Sequence, residues 1–481
     1  MDILEELAPE LETLKNANQA FSRFYPGEAA RRQPVHTVYG GAHLFKADTI
    51  RRFGAIALRT MDEYGRDPVE FARAVGFLGD AELRELAPGP LAEAYARDSA
   101  TLRRSHAAGW LAVAVHERVR EKLRIEPVED FRIDFEDGFG VRPDVEEDEV
   151  ARLAARELAR AVADGAAPPF VGIRVKSFSA EWTFRAVRTL EIFVKNLLLA
   201  GSENWPADFV VTLPKVTLAE QPRTLARLLG RLEQRHGLKE GALRMELMIE
   251  APQALIGRDG RSPLLDFAQA CGGRCVAAHL GTYDLTASCN VTSAHQAMDH
   301  PICDLAKGMM LLAYSGTGIF LSDGATNVMP IGPHKGGSLT DDEVAENRAV
   351  VHRAWQLSYR HIRRSLRGAY YQGWDLHPAQ LPVRYAACFA FFLEGLAQAS
   401  ERLSNFVDKA AQATLLADVF DDAATGQGLL NFFFRALNCG AVGRDDVERA
   451  GLTEEEVAHR SFARIVEARR TRAVRGAPTS P

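Results

Sequence analysis

The sequence predicts a closed (β/α)₈ barrel, and two observations carry this prediction. Eight short, mostly apolar runs have the character of buried strands, and they are centred near residues 36, 133, 173, 211, 247, 277, 320 and 371. From the second run onward, segments with helical spacing separate the runs at nearly regular intervals. Strands that alternate with helices are typical of a parallel sheet, and eight such strands favour closure into a barrel.

The first part of the chain is predicted to be helical on both sides of one strand. Residues 1–33 are polar with a largely helical pattern, and residues 35–39 form the first strand-like run. Residues 66–125 are predicted to be an all-helical insertion because apolar side chains recur there at helical spacing. The clearest stripe of that kind comprises Leu111, Val115 and Val119.

From residue 130 the pattern alternates between strand and helix. The predicted strands are 131–138, 170–176, 209–216, 243–249, 275–280, 318–324 and 369–378. The predicted helices are 146–163, 182–199, 219–236, 264–271, 302–314 and 342–366. The resulting division is a helical segment at 1–33, a barrel at 34–380 with its insertion at 66–125, a helical region at 381–472 and a disordered tail at 473–481.

The composition limits the class of protein. The chain has 481 residues, 47% hydrophobic and 25% charged, with a net charge of -6, which is typical of a globular protein. No basic stripe with interleaved aromatic residues indicates a nucleic-acid partner. The acidic N-terminus lacks the order of a signal peptide, and no apolar run reaches the length of a membrane span. The six cysteines lack zinc-site spacing, so we expect a reduced, cytoplasmic protein.

Charged side chains recur where the predicted strands end. In a (β/α)₈ barrel the active site lies at the carboxyl ends of the strands, so these side chains are expected to share one rim. They are Glu136, Asp137, Arg174, Lys176, Lys215, Glu250, Asp284, Asp323, Asp375 and His377.

Glu250 and Asp284 are the candidate metal ligands. The strand before Glu250 stops at Pro252, which cannot donate to a sheet ladder, and the strand before Asp284 breaks at Gly281. Two carboxylates on neighbouring strand ends can bind Mg²⁺ or Mn²⁺ and leave positions for substrate oxygens. Taken alone, the two also fit ordinary surface carboxylates.

The other rim residues fit reversible carbon–carbon bond cleavage through an enolate. The metal would polarise a carbonyl, and Arg174 would hold a carboxylate or developing charge through its planar fork. Glu136 and Asp137 are candidates to orient Arg174 or water, and Lys215 is a candidate to bind an anion or to pair with a neighbour. The general acid/base stays open among four candidates. They are His377, His279, Asp375 and His43.

The Gly- and Pro-rich loop 325–338 is a second candidate feature. Its segment 332–338 follows the seventh strand, where barrels often bind phosphate. The G-x-x-x-x-G-K-[ST] order of a P-loop is absent, so a surface loop is favoured over a phosphate site.

Six short motifs match a known family in order and approximate spacing across roughly residues 130–380. The chain resembles the HpcH/HpaI aldolase and citrate lyase β-subunit family, within the phosphoenolpyruvate/pyruvate-type barrels that include malate synthase. The matches are Asp134-Phe135-Glu136-Asp137 for D-L-E-D, Ile173-Arg174-Val175 for V-R-V, Pro214-Lys215-Val216 for P-K-V, Ile249-Glu250-Ala251 for I-E-[TS], Gly281 to Leu285 for G-x-x-D-L, and Gly373 to Gln380 for G-x-x-x-I-H-P-x-Q.

By this resemblance Glu250 and Asp284 look like Mg²⁺ ligands, and Arg174 looks like the residue that binds the substrate carbonyl and carboxylate. Members act on 2-oxo acids, 2-hydroxy acids or acyl-CoA thioesters, with CoA as part of the substrate, and many are homotrimers or hexamers. The chain departs from the pattern at Ala251, at Leu376, in the insertion and in the loop after strand seven, which fits a divergent member.

The leading hypothesis is a Mg²⁺-dependent carbon–carbon lyase or aldolase, or the reverse condensation, that acts on a small oxo acid or acyl-CoA. Asp375 and Lys215 are expected to bind substrate beside Arg174, and His377, Glu136 and Asp137 to take part in catalysis. One alternative is phosphoryl or enolpyruvate chemistry on phosphoenolpyruvate. A second alternative is a non-catalytic ligand-binding barrel that uses its helical insertion for partners.

Overall fold

The computed structural model describes most of the chain. The described residues are 3–27, 31–84, 86–201, 205–412, 423–458, 464–465 and 467–469. The segment 473–481, predicted to be a disordered tail, lies outside the described residues. The predicted division into domains stays a prediction.

Eight parallel strands close into a barrel, which confirms the predicted fold class. The strands are β1 (His36–Gly41), β2 (Asp130–Asp134), β3 (Phe170–Arg174), β4 (Phe209–Leu213), β5 (Arg244–Ile249), β6 (Cys275–Leu280), β7 (Phe320–Ala325) and β8 (Gln372–Asp375). Each pairs with its neighbours in chain order, and β1 pairs with β8 to close the ring. All eight carboxyl ends therefore open at one mouth.

Helices connect the strands and extend the fold at both ends. In chain order they are α1 (Ile3–Glu6), α2 (Ala8–Phe24), α3 (Thr49–Tyr64), α4 (Pro68–Val75), α5 (Asp80–Arg84), α6 (Pro88–Ser105), α7 (Ala107–Ile125), α8 (Asp144–Ala163), α9 (Thr183–Ala200), α10 (Glu220–His236), α11 (Pro252–Leu255), α12 (Leu264–Ala270), α13 (Thr282–Ser288), α14 (Pro301–Tyr314), α15 (Asp341–Arg367), α16 (Leu381–Gln412), α17 (Ala423–Cys439), α18 (Arg444–Arg449) and α19 (Glu454–Ala458).

The region 66–125 is helical, as expected, but it is divided into four helices. The boundary between α6 and α7 lies at His106, whose Nδ1 accepts a hydrogen bond from the backbone N–H of Gly109 at 3.1 Å. A side chain that satisfies a free amide in this way stabilises a helix start. Beyond it, the stripe of Leu111, Val115 and Val119 is buried against the barrel's outer helices.

The barrel interior holds a layer of charged side chains beneath the mouth. Residues of β2 alternate, so Phe131 and Ile133 pack outward while Arg132 points inward. Arg132 donates to Glu246 of β5 through Nε at 2.8 Å and Nη2 at 2.7 Å. Because a buried charge is costly unless it is paired and hydrogen-bonded, these contacts offset the cost of placing Arg132 inside the barrel. All six cysteines are free.

None of the helices in the described ranges combines the length and the apolar character needed to cross a membrane.

Candidate active site

A cavity of about 330 Å³ opens at the carboxyl ends of the strands. Residues from seven of the eight strand ends or the turns after them line it. They are Tyr39, Asp134, Asp137, Gly138, Arg174, Glu250, Gly281, Thr282, Tyr283, Asp284, Ala325, Trp374 and Leu376. A larger cleft of about 1200 Å³ lies on the outside between α6, α7 and the C-terminal helices, but no strand-end side chain lines it. The cavity at the mouth is therefore the candidate active site.

Arg174 is held at the mouth by a two-point contact with Asp134. The two residues are in register as the last residues of β3 and β2. Arg174 donates from Nε to Oδ1 at 2.7 Å and from Nη2 to Oδ2 at 2.6 Å. Burial alone would lower the pKa of Arg174, but the Asp134 carboxylate outweighs it and raises that pKa. The guanidinium is thus permanently charged and fixed in direction.

Three further charges surround the free end of that guanidinium. Arg174 Nη1 lies 3.2 Å from an oxygen of Glu136 and 3.6 Å from an oxygen of Asp137. The Lys215 ammonium forms an ion pair with Glu136 and lies 3.5 Å from Asp137. Burial raises the pKa of Glu136; for Asp137, Arg174 and Lys215 overcome the effect of burial and lower the pKa. Asp137 is consequently ionised at neutral pH, and its side chain is the more exposed of the two acids.

Lys215 touches both candidate metal ligands through different atoms. Its backbone N–H donates to Glu250 Oε1 at 2.7 Å, and its Nζ lies 3.5 Å from Asp284 Oδ2. Its φ of 53° is in the left-handed region, which is uncommon for a residue with a side chain. Burial alone would lower the pKa of the ammonium, but Glu136 and Glu250 outweigh it and raise that pKa.

Glu250 is a buried carboxylate whose surroundings favour its protonated form. It directly follows β5 and is 2% exposed. Burial, and then the nearby charge of Asp284, raise its pKa to about 8. A neighbouring glycine is required beside it, because a Cβ on Gly281 would lie 2.2 Å from Glu250 Oε2.

The sequence placed Asp284 in a turn just past a strand, and the structure places it differently. Asp284 lies in the first turn of the short helix α13, one turn beyond Gly281. The helix forms because β6 ends at Leu280 and the next residues bond in helical register, with the Leu285 N–H donating to the Gly281 carbonyl at 3.1 Å. Asp284 still lines the cavity together with Glu250.

The donor set fits a divalent cation. Both candidate ligands supply carboxylate oxygen, which Mg²⁺ and Mn²⁺ prefer, and a bound cation would favour the ionised form of Glu250, whose pKa is raised by burial. Among the described residues, no group of three or more His, Cys, Asp or Glu side chains is placed to hold a metal. A magnesium ion at Glu250 and Asp284 would therefore leave most of its coordination positions to water and substrate.

A family model matches residues 14–465 of this chain, under the description "Domain of unknown function (DUF6986)". The chain belongs to the DUF6986 family. A comparison with curated proteins gives no match.

Solved structures similar to this DUF6986 chain include the following three. A citrate lyase from Burkholderia xenovorans LB400 is 19% identical with a TM-score of 0.47, and the match covers 70% of this chain and 92% of that one. Malate synthase of Haloferax volcanii, as its lead(II) complex, is 17% identical with a TM-score of 0.40, covering 72% and 89%. An HpcH/HpaI aldolase/citrate lyase family protein from Burkholderia cenocepacia J2315 is 12% identical with a TM-score of 0.28, covering 54% and 90%.

An aromatic wall closes one side of the cavity in the DUF6986 chain. The Arg174 guanidinium carbon lies 4.8 Å from the ring centre of Tyr39, and that ring is 4.6 Å from the ring of Trp374. The indole Nε1 of Trp374 donates to His279 Nδ1 at 3.0 Å, and His279 Nε2 faces Glu246 at 3.2 Å. His279, a candidate general base by sequence, therefore accepts a hydrogen bond from Trp374 and turns its other nitrogen toward Glu246 inside the barrel, where it positions Trp374.

Two other predicted residues lie apart from the cavity. Asp375 is buried, and both of its carboxylate oxygens accept hydrogen bonds from Arg384 at 3.0 to 3.2 Å; its Oδ2 also lies 2.9 Å from His36 Nδ1. His377 accepts a hydrogen bond from the Ala379 N–H at its Nδ1, and burial lowers its pKa. Neither side chain lines the cavity, so their roles in substrate binding and catalysis stay predictions.

The loop 332–338 turns toward helix α15 instead of the cavity. The His334 N–H donates to Asn347 Oδ1 at 2.9 Å, and His334 Nε2 is 2.6 Å from a carboxylate oxygen of Glu346. Three acidic residues also occupy the first turn of α15. This acidic setting favours the surface-loop interpretation over phosphate binding.

Sequence reasoning missed several residues that shape the site. Asp134 was part of a quoted motif but received no role, and Tyr39 and Trp374 were not singled out. The signal for Asp134 was the alternation along β2, where Asp130, Arg132 and Asp134 share one face. Three charged residues on one face of an otherwise apolar strand indicate an interior polar layer that ends at the mouth.

Proposed function

We propose that this protein is a metal-dependent carbon–carbon lyase, or catalyses the reverse condensation, on a small 2-oxo acid or its acyl-CoA derivative. One observation carries the proposal: a buried carboxylate, Glu250, lines one cavity at the barrel mouth together with Asp284 and a fixed guanidinium, Arg174. The motif resemblance to the HpcH/HpaI aldolase and citrate lyase β-subunit family supports the same chemistry.

Glu250 and Asp284 would hold the metal, Mg²⁺ or Mn²⁺, which when bound supplies Lewis-acid polarisation of a carbonyl and stabilises an enolate. The Lys215 N–H fixes one oxygen of Glu250 at 2.7 Å. Gly281 leaves room for the rest of that carboxylate. The chain thereby holds Glu250, the more buried of the two metal ligands, in place before a metal binds, which lowers the cost of binding.

Arg174 would bind the substrate carboxylate or the oxygen on which charge develops. Asp134 occupies Nε and Nη2, so Nη1 is the nitrogen left for substrate. That nitrogen is near Glu136 and Asp137, and an incoming anion would replace part of their contact. A donor fixed in advance by a buried acid can stabilise developing charge without reorganising.

Asp137 is our candidate for the general base. It lines the cavity and is ionised at neutral pH, since Arg174 and Lys215 hold its pKa below the ordinary value despite burial. Glu136 pairs with Lys215 and orients it. A proton taken from the substrate would reside on the Asp137 carboxylate and return from it in the reverse direction.

The cavity volume limits the size of the substrate. About 330 Å³ is at the lower end of ligand-site volumes and admits a small acid in full. A CoA thioester could place only its acyl end there, with the carrier outside the mouth. Non-polar surface from Tyr39 and Trp374 favours a short carbon chain beside the carboxylate.

The test is thermal unfolding with Mg²⁺ or Mn²⁺ and a panel of pyruvate, oxaloacetate, glyoxylate, phosphoenolpyruvate and acetyl-CoA. A ligand that binds only the folded state raises the midpoint by mass action. We expect an oxo acid to raise the unfolding midpoint only when metal is present. Glu250→Ala should abolish that shift and the turnover of the same compound. A shift by phosphoenolpyruvate alone would replace the lyase proposal with phosphoryl or enolpyruvate chemistry. The absence of any metal-dependent shift in the midpoint would refute the lyase proposal.

A further inference from the structure

The N-terminal helices α1 and α2 form one exposed rod. Leu7 lies in a turn between them, and two backbone bonds span this junction, with the Leu7 N–H donating to the Ile3 carbonyl at 3.1 Å and the Leu11 N–H to the Leu7 carbonyl at 2.9 Å. Every side chain from 3 to 23 is exposed. An isolated helix of this length is only marginally stable in water, so burial of one face against a partner would stabilise it.

The rod carries an unbroken heptad pattern. The residues at its a and d positions follow one another at intervals of three and four residues and form a single stripe. This is the spacing of the core positions in a two-stranded coiled coil. The stripe comprises Leu4, Leu7, Leu11, Leu14, Asn18 and Phe21. Several of these side chains face solvent over about half of their surface, among them Leu7 at 42%, Leu14 at 55% and Phe21 at 64%. Contiguous apolar surface of this kind marks an interaction site.

Three polar residues indicate what covers the stripe. With Leu4 at position a, Asn18 also falls at a, where a single asparagine specifies register and the number of helices. Glu10 then falls at g and Lys15 at the following e. In a parallel pair in register, these two positions meet across the interface and carry opposite charges. The stripe is thus complementary to itself.

We propose that α1 and α2 bind the same segment of a second copy of this chain as a parallel, in-register, two-stranded coiled coil. Leu7, Leu11, Leu14 and Phe21 then lose their solvent contact in the seam. Asn18 pairs with its counterpart, and Lys15 exchanges its present partner, Glu12 at 3.1 Å, for the counterpart of Glu10. Exposed pairs of that kind are weak, so the exchange costs little.

Disulfide trapping in the full chain tests the arrangement. In a parallel, in-register coil, the side chains at Leu14 of the two copies face each other, whereas those at Gln19 point away. We expect Leu14→Cys to form a covalent dimer under mild oxidation at least about tenfold faster than Gln19→Cys or the wild type. The wild type measures the background from the native cysteines. Equal rates for the two variants would overturn the proposal, as would a trap that requires one cysteine at Leu7 and another at Asn18, because antiparallel helices pair d positions with a positions.

Mass in solution provides the second measurement. The double substitution Leu11→Glu and Leu14→Glu places repelling charges in the seam, and light scattering at micromolar concentration should show the particle mass fall by half. Gln19→Glu adds charge on the outer face and should leave the mass unchanged. Because these side chains are exposed, the barrel should unfold at the same temperature in all variants. An unchanged mass in the double variant would refute the coiled coil.

Discussion

The metal-free protein should lose stability as the pH rises toward 8, with Glu250 as a principal cause. Burial and Asp284 raise its pKa from the ordinary 4.5 to about 8, so the folded state holds this proton more tightly than the unfolded chain does. Its stabilising contribution is therefore fully present below about pH 4.5 and is lost as the pH rises through about 8. A difference of that size corresponds to roughly 5 kcal/mol over the whole range.

Glu250→Gln isolates this contribution. Glutamine has the same shape, stays neutral and keeps an oxygen to accept the Lys215 N–H. With EDTA present, we expect the unfolding free energy of the wild type to fall relative to the variant by about 2–3 kcal/mol between pH 6 and pH 8.5. Urea unfolding followed by circular dichroism measures it. Glu181→Gln, at an exposed position, is the matched control and should follow the wild type.

Metal addition supplies the second half of this experiment. At pH 8.5, saturating Mg²⁺ should restore the stability of the wild type, because a cation at Glu250 and Asp284 removes the cost of their paired charges. The Glu250→Gln variant should gain little. Parallel pH profiles for the wild type and the variant without metal would show that Glu250 ionises normally and would refute the electrostatic account of the site.

Two further substitutions address the same ligands. A Cβ on Gly281 would lie 2.2 Å from Glu250 Oε2, so Gly281→Ala should weaken Mn²⁺ binding in calorimetry by about tenfold or more. Gly89→Ala is the control and should not change the affinity, because a Cβ there meets nothing within 4 Å. Equal Mn²⁺ affinities for the two variants would contradict the argument that the Cβ crowds Glu250. Lys215→Met keeps the backbone and removes an ammonium 3.5 Å from Asp284, so Mn²⁺ binding should tighten by about tenfold, with exposed Lys195→Met as the control. Weaker binding in Lys215→Met would mean that the ammonium supports the ligands instead of competing with the metal.

The barrel was predictable because its evidence is local. Each strand is a short apolar run bounded by turn residues, and each connecting helix shows its period within the segment itself. All eight strands are present at the predicted places. Local rules were less informative about boundaries, since the break at His106 depends on a single side-chain bond to Gly109 and since helix α13 begins within what looked like a polar turn.

The sequence by itself determined that many charged strand ends would share one rim, and it singled out Glu250, Asp284 and Arg174 among them. Only the tertiary structure decided which charges face the cavity and which are neutralised elsewhere. Asp323 is buried against Lys307 at 3.1 Å, and Asp375 is held by Arg384. The position of a charged residue at a strand end predicts that it lies at the mouth of the barrel. Its role depends on which residues of distant helices contact it, and those contacts are set by how the helices pack around the barrel.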